Sequence, residues 1–208
     1  PAKYLRSAPL DIFITHAHLD HVIGLSYLFD LLEVRPLERV TVHGKAEHLK
    51  AVRQNLFAPA LFPQMPPYQF QPVKDRVPLP VGDGALTHFM LQHPGCVLGY
   101  RLEWPGTSMA YVTDTTAAPN APYVAHIKGV ELLVHECYFP DKYKDWAVKT
   151  GHSWTSAVAQ LAAEAGVGRL VLTHINPLCE DDDPVDLLLA RRIFPATEIA
   201  EDGMELEF

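Results

Sequence analysis

The chain has 208 residues, of which 48% are hydrophobic and 20% are charged, and its formal net charge is -8. This length suffices for a substantial hydrophobic core, and we expect a single domain over residues 1–208. The acidic charge and the absence of a basic cluster argue against binding to nucleic acid or an anionic membrane, and no apolar run is long enough to cross a membrane. The three cysteines are odd in number and lack CxxC spacing, which favours a reducing, cytoplasmic location over a disulfide framework.

The first predicted strand, residues 10–14, leads directly into a cluster of metal-type side chains. The strand is short, apolar and rich in β-branched and aromatic residues, and helical periodicity follows over residues 22–32. Between them, six residues contain His16, His18, Asp20 and His21. Residues two apart on an extended turn point the same way, so the first two histidines could hold one ion and the last two ligands a second. Such ligands suit zinc, iron or manganese, and we favour a metal site over histidines that merely satisfy backbone carbonyls.

A second strand and helix are predicted over residues 39–44 and 45–56, and this repeated strand–helix order favours an α/β fold. Residues 58–80 contain seven prolines, which exclude a helix and disfavour a central strand. Aromatic residues accompany the prolines, so we expect a packed loop there. Such a loop would either border the functional site or simply cover the core.

The rest of the chain is predicted from apolar runs separated by Gly, Pro and other turn residues. Five strands are expected, at residues 86–91, 97–104, 108–113, 131–135 and 169–174. Three helices are expected, at residues 121–128, 153–165 and 184–194. Ser153 is the predicted N-cap of the second of these helices. Residues 204–208 are predicted to form a strand at a sheet edge.

Polar residues that suit a metal site occur at the ends of several later strands, at His93, Asp114, His135, Glu136 and His174. One histidine at one strand end would indicate a residue of the core. The repetition of the pattern instead indicates that these strand ends share a common rim.

These residues belong to a series of motifs that resembles the metallo-β-lactamase superfamily, and within it the ribonuclease Z-like branch. In chain order the motifs are HAHLDH, HPG, YVTDT, HE, GHS and LTH, and they extend over nearly the whole chain. The resemblance implies an α/β protein with the αβ/βα four-layer sandwich fold and a dinuclear metal site between the edges of two sheets. The family normally has strands before the HxHxDH motif, so we expect the natural protein to contain residues upstream of Pro1 that supply them.

The resemblance also assigns the metal ligands. They would hold two divalent cations, with zinc expected and manganese or iron also suited to such ligands. A hydroxide between the two ions would be the nucleophile, because metal coordination lowers the pKa of water. The ligands would be His16, His18 and His93 for the first ion, Asp20, His21 and His174 for the second, and Asp114 as the bridge between them.

Two further catalytic roles follow from the same resemblance. His152 would act as the general acid that protonates the leaving oxygen, and Glu136 would orient it. Asp20 is assigned to catalysis as well as to the second ion. His135, the neighbour of Glu136, is expected to be structural.

The resemblance implies a hydrolase, and one departure from the family narrows the substrate. Ribonuclease Z carries a long arm that grips tRNA, inserted between the segments that match His93 and Asp114, and here this interval holds only two strands and a turn. Together with the acidic charge, this favours a small or cyclic phosphodiester or a nucleotide, with neither nucleic acid nor membrane as a partner. The alternatives are a hydrolase of lactones, thioesters or β-lactams, a tRNA 3′-processing endonuclease, and a metal-binding module without catalysis. A homodimer is also expected from the family.

Overall fold

The computed structural model describes residues 8–208, and the strands described there form two separate sheets. The first sheet lies in a unit that extends to Asp75, and the second lies in a unit from Arg76 to Phe208. The expectation of a single domain over the whole chain stays a prediction. Among the helices of residues 8–208, none has the length and apolar character that a membrane crossing requires.

The first unit is built on a parallel sheet in which β2 (Val40–Gly44) lies between β1 (Leu10–Phe13) and β3 (Tyr68–Pro72). All five residues of β2 are buried, as expected for a central strand of β-branched residues. The edge position of β3 explains how it tolerates proline, which cannot donate a ladder hydrogen bond. The packed loop predicted for residues 58–80 is therefore wrong in part, because it contains an edge strand. The predicted exclusion of a helix and of a central strand is confirmed there.

Helices pack against this sheet and complete the first core. Helices α1 (Leu19–Val22) and α2 (Gly24–Val34) follow β1, while α3 (Ala46–Ala51) follows β2 and continues as a π-helical turn. Phe62, Tyr68 and Phe70 of the proline-rich stretch pack into the same core, where the ring of Tyr68 lies 5.9 Å from that of Phe57. The proline-rich stretch thus covers the core of the first unit.

The second unit is built on a mixed sheet of seven strands. In sheet order these are β10 (Thr197–Ile199), β9 (Arg169–Thr173), β8 (Leu132–Glu136), β7 (Thr107–Val112), β6 (Cys96–Trp104), β5 (Gly84–Gln92) and β4 (Leu79–Val81). Strands β4 to β7 are antiparallel, and β7 to β10 are parallel. Strands β5, β7, β8 and β9 consequently run in one direction, and their carboxyl ends meet at the same edge of the sheet. The predicted common rim is confirmed for these strands.

Four helices accompany the second sheet: α4 (Val124–Ile127), α5 (Lys144–Thr150), α6 (Thr155–Ala165) and α7 (Leu187–Ile193). Helix α6 buries an alanine-rich face in the main core, which allows close approach to the sheet. It ends at Gly166, whose φ of 64° is the left-handed conformation that glycine adopts at low cost.

Two details of the predicted elements are wrong. Ser153 does not cap α6, which has Trp154 at the N-cap position and no capping side chain. The Ser153 hydroxyl instead donates to the Thr115 carbonyl at 2.6 Å and accepts from the Ala117 amide at 2.9 Å, because both backbone groups are buried beside it. Residues 204–208 form no strand, since the sheet edge is occupied by β10, which pairs with β9.

His135 is a buried structural residue on β8, and its two ring nitrogens have different partners. Nδ1 donates to the Glu136 carbonyl at 2.7 Å, so Nε2 accepts from the Tyr123 hydroxyl at 2.9 Å. Burial lowers the pKa of His135 below its ordinary value of 6.5 and raises the pKa of Tyr123. The pair is therefore held as a neutral imidazole and a protonated phenol.

The free energy of unfolding should fall as the pH decreases below about 6.5, because the unfolded chain then binds protons that the folded His135 does not. Above that pH His135 is neutral in both states and its contribution is fully present; the loss continues as the pH falls through the lowered folded pKa. His48, whose pKa is also lowered chiefly by burial, adds to the effect. Urea unfolding between about pH 7 and pH 5 should show that His135→Gln reduces the slope, by at most about 1.4 kcal/mol per pH unit. An unchanged slope would contradict the assignment.

Candidate metal centre

The first group of predicted ligands lies in the first unit, immediately after β1. The ring of His16 is buried, and its centroid lies 4.3 Å from those of both His18 and His21. His18 has an extended backbone, with φ -65° and ψ 148°, directly before α1. Asp20 lies at the start of α1, with Oδ2 3.3 Å from His21 Nε2. The structure thus brings the four side chains of the HxHxDH motif together.

The second group lies in the second unit, at the common rim of the sheet. The buried carboxylate of Asp114, two residues after the end of β7, is at its centre. Its Oδ1 lies 3.4 Å from His174 Nε2, and its Oδ2 lies 3.7 Å from His93 Nε2. The Thr113 hydroxyl donates to Oδ1 at 2.6 Å and helps to fix the carboxylate. A buried carboxylate flanked by two imidazoles is a donor set that suits a divalent cation.

The tautomer of His93 supports this interpretation. Its Nδ1 lies 3.0 Å from the Gly151 carbonyl, which can only accept, so Nδ1 carries the proton. In the neutral imidazole the lone pair is then on Nε2, the nitrogen on the side of Asp114. Metal-binding histidines commonly donate their other ring N–H to a carbonyl in this way. The residues present fit a metal ion.

The backbone is strained at two residues of the second group. Asp114 and His174 have φ values of 44° and 54°, in the left-handed region that side chains other than glycine rarely adopt. They account for two of the four non-glycine residues with positive φ that the structure describes. Such strain concentrates at functional sites, where the surrounding structure imposes it.

The predicted acid and its orienting residue lie beside this group. His152 Nδ1 is 3.2 Å from Glu136 Oε1, and because a carboxylate accepts, Nδ1 donates. Glu136 is fully buried and also accepts from the backbone amides of Thr115, Tyr138 and Ser153 at 3.0–3.2 Å. Three backbone amides thus fix its carboxylate, and the carboxylate in turn orients the imidazole.

His152 also lies close to the predicted ligands. Its ring centroid is 5.1 Å from that of His93 and 5.5 Å from that of His174. Single ligand atoms of Asp114, His152 and His174 lie within 4.8 Å of one another. The second unit therefore brings together His93, Asp114, Glu136, His152 and His174.

Tyr138 is a site residue that the sequence argument does not identify. Its ring stacks on that of His152 at a centroid distance of 4.6 Å and an interplanar angle of 19°. Its backbone amide donates to Glu136 Oε2 at 3.1 Å. The sequence signal that could have identified it is its position two residues after Glu136, the carboxylate predicted to orient His152.

Comparison with known proteins identifies the family. A family profile described as a beta-lactamase superfamily domain matches residues 1–175. The ribonuclease Z of Brevibacillus brevis is 42% identical over 103 residues, which are 47% of this chain and 32% of the relative. The chain spans about a third of the length of the curated relatives it matches.

Two solved structures cover more of the chain. The metallo-beta-lactamase fold protein YhfI of Bacillus subtilis has a TM-score of 0.77 at 20% identity, covering 94% of this chain and 76% of its own. Unliganded yeast PDE1 has a TM-score of 0.75 at 16% identity, covering 92% and 66% respectively. These likenesses confirm the predicted α/β class and the metallo-β-lactamase fold. Since the family profile spans most of its length, the chain belongs to the beta-lactamase superfamily, with proteins named ribonuclease Z among its relatives.

Proposed function

We propose that the protein is a metal-dependent hydrolase of phosphodiesters, with the seven predicted ligands holding two divalent cations. The observation that carries the proposal is the juxtaposition in the second unit of a metal-type ligand set with an oriented imidazole. Asp114 lies between His93 and His174, and His152 is held beside them by the buried Glu136. Hydrolysis of a phosphodiester needs both features, because charge develops on the phosphoryl oxygens while the leaving oxygen needs a proton.

The side chains of the site have different roles in the proposed reaction. Zinc, manganese or iron ions would supply Lewis acidity and an activated water at neutral pH. Asp114 would neutralise positive charge between the ions, and Asp20, beside His21, would serve the second ion. Because Nδ1 of His152 is engaged by Glu136, Nε2 is the nitrogen that delivers a proton to the leaving oxygen. Glu136 holds the ring in that orientation throughout.

The test is hydrolysis of bis(p-nitrophenyl) phosphate by protein stripped with a chelator and reloaded with zinc or manganese. We expect metal-dependent turnover, and we expect His152→Ala to lower kcat by about 10²–10⁴-fold, the usual contribution of a general acid. Elemental analysis should show that this variant keeps its metal.

His126→Ala is the matched control, because His126 is an exposed histidine of α4 in the same unit. It should retain the parent's rate. Metal-loaded protein that cleaves a lactone or a thioester but no phosphodiester would refute the proposal in favour of those chemistries.

A second candidate function is tRNA 3′ processing, which the curated relatives named ribonuclease Z favour. The names of these relatives favour a nucleic-acid substrate, contrary to the expectation from the sequence. The net charge of -8 and the short interval between His93 and Asp114, which holds only β6, β7 and their connections, favour the small substrate. A precursor tRNA with a 3′ trailer and a cyclic nucleotide should be compared. A higher kcat/KM for the precursor tRNA than for the cyclic nucleotide would identify tRNA processing as the function.

A further inference from the structure

A cavity of about 560 Å³ in the second unit is lined by residues of the segments 138–146 and 176–181. Its wall includes Tyr138, the residue that stacks on His152. The Tyr138 ring also lies 5.4 Å from that of His174. A molecule in the cavity can therefore contact the residue whose ring stacks on the acid. The volume lies within the range of small-molecule sites.

The lining of this cavity is rich in accessible aromatic surface. Phe139, Tyr143 and Trp146 line it together with Tyr138, and Tyr143 and Trp146 are 45% and 55% exposed. The Lys149 ammonium lies 4.5 Å from the centroid of the Trp146 ring, and Lys149 does not line the cavity. This cation–π contact favours one orientation of the Trp146 indole, and it leaves the cavity open because Lys149 lies outside it. Grouped, exposed aromatic rings of this kind provide stacking surfaces for flat ligands.

Charges in the lining favour an uncharged occupant. Lys142 Nζ lies 3.1 Å from Asp181 Oδ2, and this hydrogen bond raises the pKa of Lys142 and lowers that of Asp181. Both groups are therefore charged at neutral pH and offset each other. Glu180 adds a further negative charge to the lining. A phosphate is disfavoured here, whereas a neutral aromatic ring is not.

We infer that this cavity, lined by Tyr138, Tyr143 and Trp146, binds the base of a nucleoside leaving group by stacking. The inference rests on the proposed function, since His152 as the acid defines the side on which the leaving group lies. In the reaction the attacking water gives its oxygen to phosphorus, and the bond from phosphorus to the leaving oxygen breaks. That oxygen takes the proton of His152, which the proton released by the water replaces. The substrate class is thus a nucleoside phosphodiester.

Adenosine, with ribose as the control ligand, tests the cavity without turnover. The protein has three tryptophans, so the indole N–H signal of Trp146 in a ¹⁵N spectrum is the one that Trp146→Phe removes. We expect millimolar adenosine to shift this signal and to leave that of Trp104, which does not line the cavity, in place. Ribose should shift neither.

Calorimetry then separates stacking from general apolar contact. Trp146→Leu keeps apolar bulk but removes the ring, and it should weaken adenosine binding about tenfold, whereas Trp146→Phe should restore most of the affinity. Val148→Ala is the matched control, because Val148 is 58% exposed on the same helix and does not line the cavity. It should bind adenosine as the parent does. Tyr143→Leu provides a second variant should Trp146→Leu fail to fold.

The outcomes distinguish this inference from the proposed function. If adenosine shifts the Trp146 signal but no phosphodiester is hydrolysed, the cavity assignment holds and the proposed function fails. If bis(p-nitrophenyl) phosphate is hydrolysed but adenosine neither shifts the Trp146 signal nor binds more weakly to Trp146→Leu, the cavity assignment is refuted.

Discussion

Asp114→Asn should lower kcat/KM for bis(p-nitrophenyl) phosphate by a factor on the order of 10³ and reduce the metal content of the purified protein. The substitution removes the buried negative charge that His93 and His174 flank, and with it the proposed bridge between two cations. Asparagine is the replacement of choice because it has the shape of aspartate and tolerates the left-handed backbone found here, at φ 44°. Elemental analysis and steady-state kinetics measure the two effects.

The control for this substitution is Asp202→Asn, which removes a charge from an exposed turn of the same unit. It should leave both metal content and rate unchanged. In the presence of a chelator, Asp114→Asn should unfold at about the same temperature as the parent, which excludes a general loss of fold. Full activity with a full metal complement in Asp114→Asn would remove Asp114 from the mechanism.

The second-unit group could be predicted from the sequence because its members follow strands that run in the same direction. Asp114 follows β7 and His174 follows β9, and parallel pairing through β8 places both at the same edge. A polar residue that follows an apolar run in the sequence can therefore be predicted to lie at this edge of the sheet. The left-handed backbone of these two residues could not be predicted from the sequence, since neither is a glycine.

Elements that depend on distant partners could not be predicted. Strand β10 has only three residues, and its pairing with β9 determines its conformation more than its own propensity does. The hydroxyl of Ser153 would suit a helix cap, but the backbone of residues 115–117 binds it in the folded chain. Competition of this kind is decided by tertiary structure, which periodicity and propensity do not describe.

The aromatic cavity is the clearest case of a feature that only the fold assembles. Its lining comes from residues 138–146 and 176–181, which are far apart in the chain. Phe139, Tyr143 and Trp146 in the first segment have the four- and three-residue spacing of one helix face, but this spacing does not indicate that they line a cavity with residues 176–181. Their common role becomes visible only when Tyr138 is found against His152.

Glu136→Gln should lower kcat by about 10²-fold or more while leaving the metal content unchanged, and it should reduce the free energy of unfolding by about 2–3 kcal/mol. Oε1 of Glu136 accepts from Thr115, His152 and Ser153, and Oε2 accepts from Tyr138 and Ser153. A glutamine amide turns an N–H group toward N–H donors in either orientation. Buried donors are then left unsatisfied, and the His152 ring loses its fixed direction. Urea unfolding and steady-state kinetics measure the two losses.

The variant Glu136→Gln/His152→Ala distinguishes orientation of the acid from a direct role of the carboxylate. If Glu136 acts through His152, the double variant should be no slower than His152→Ala alone, because the imidazole that Glu136 orients is already absent. A further loss of rate, at equal metal content, would instead place Glu136 in direct contact with the reaction. Glu164→Gln, at an exposed position of α6, is the control and should change neither rate nor stability. With these outcomes the buried carboxylate would make two separable contributions, one to the free energy of unfolding and one to the orientation of the His152 ring.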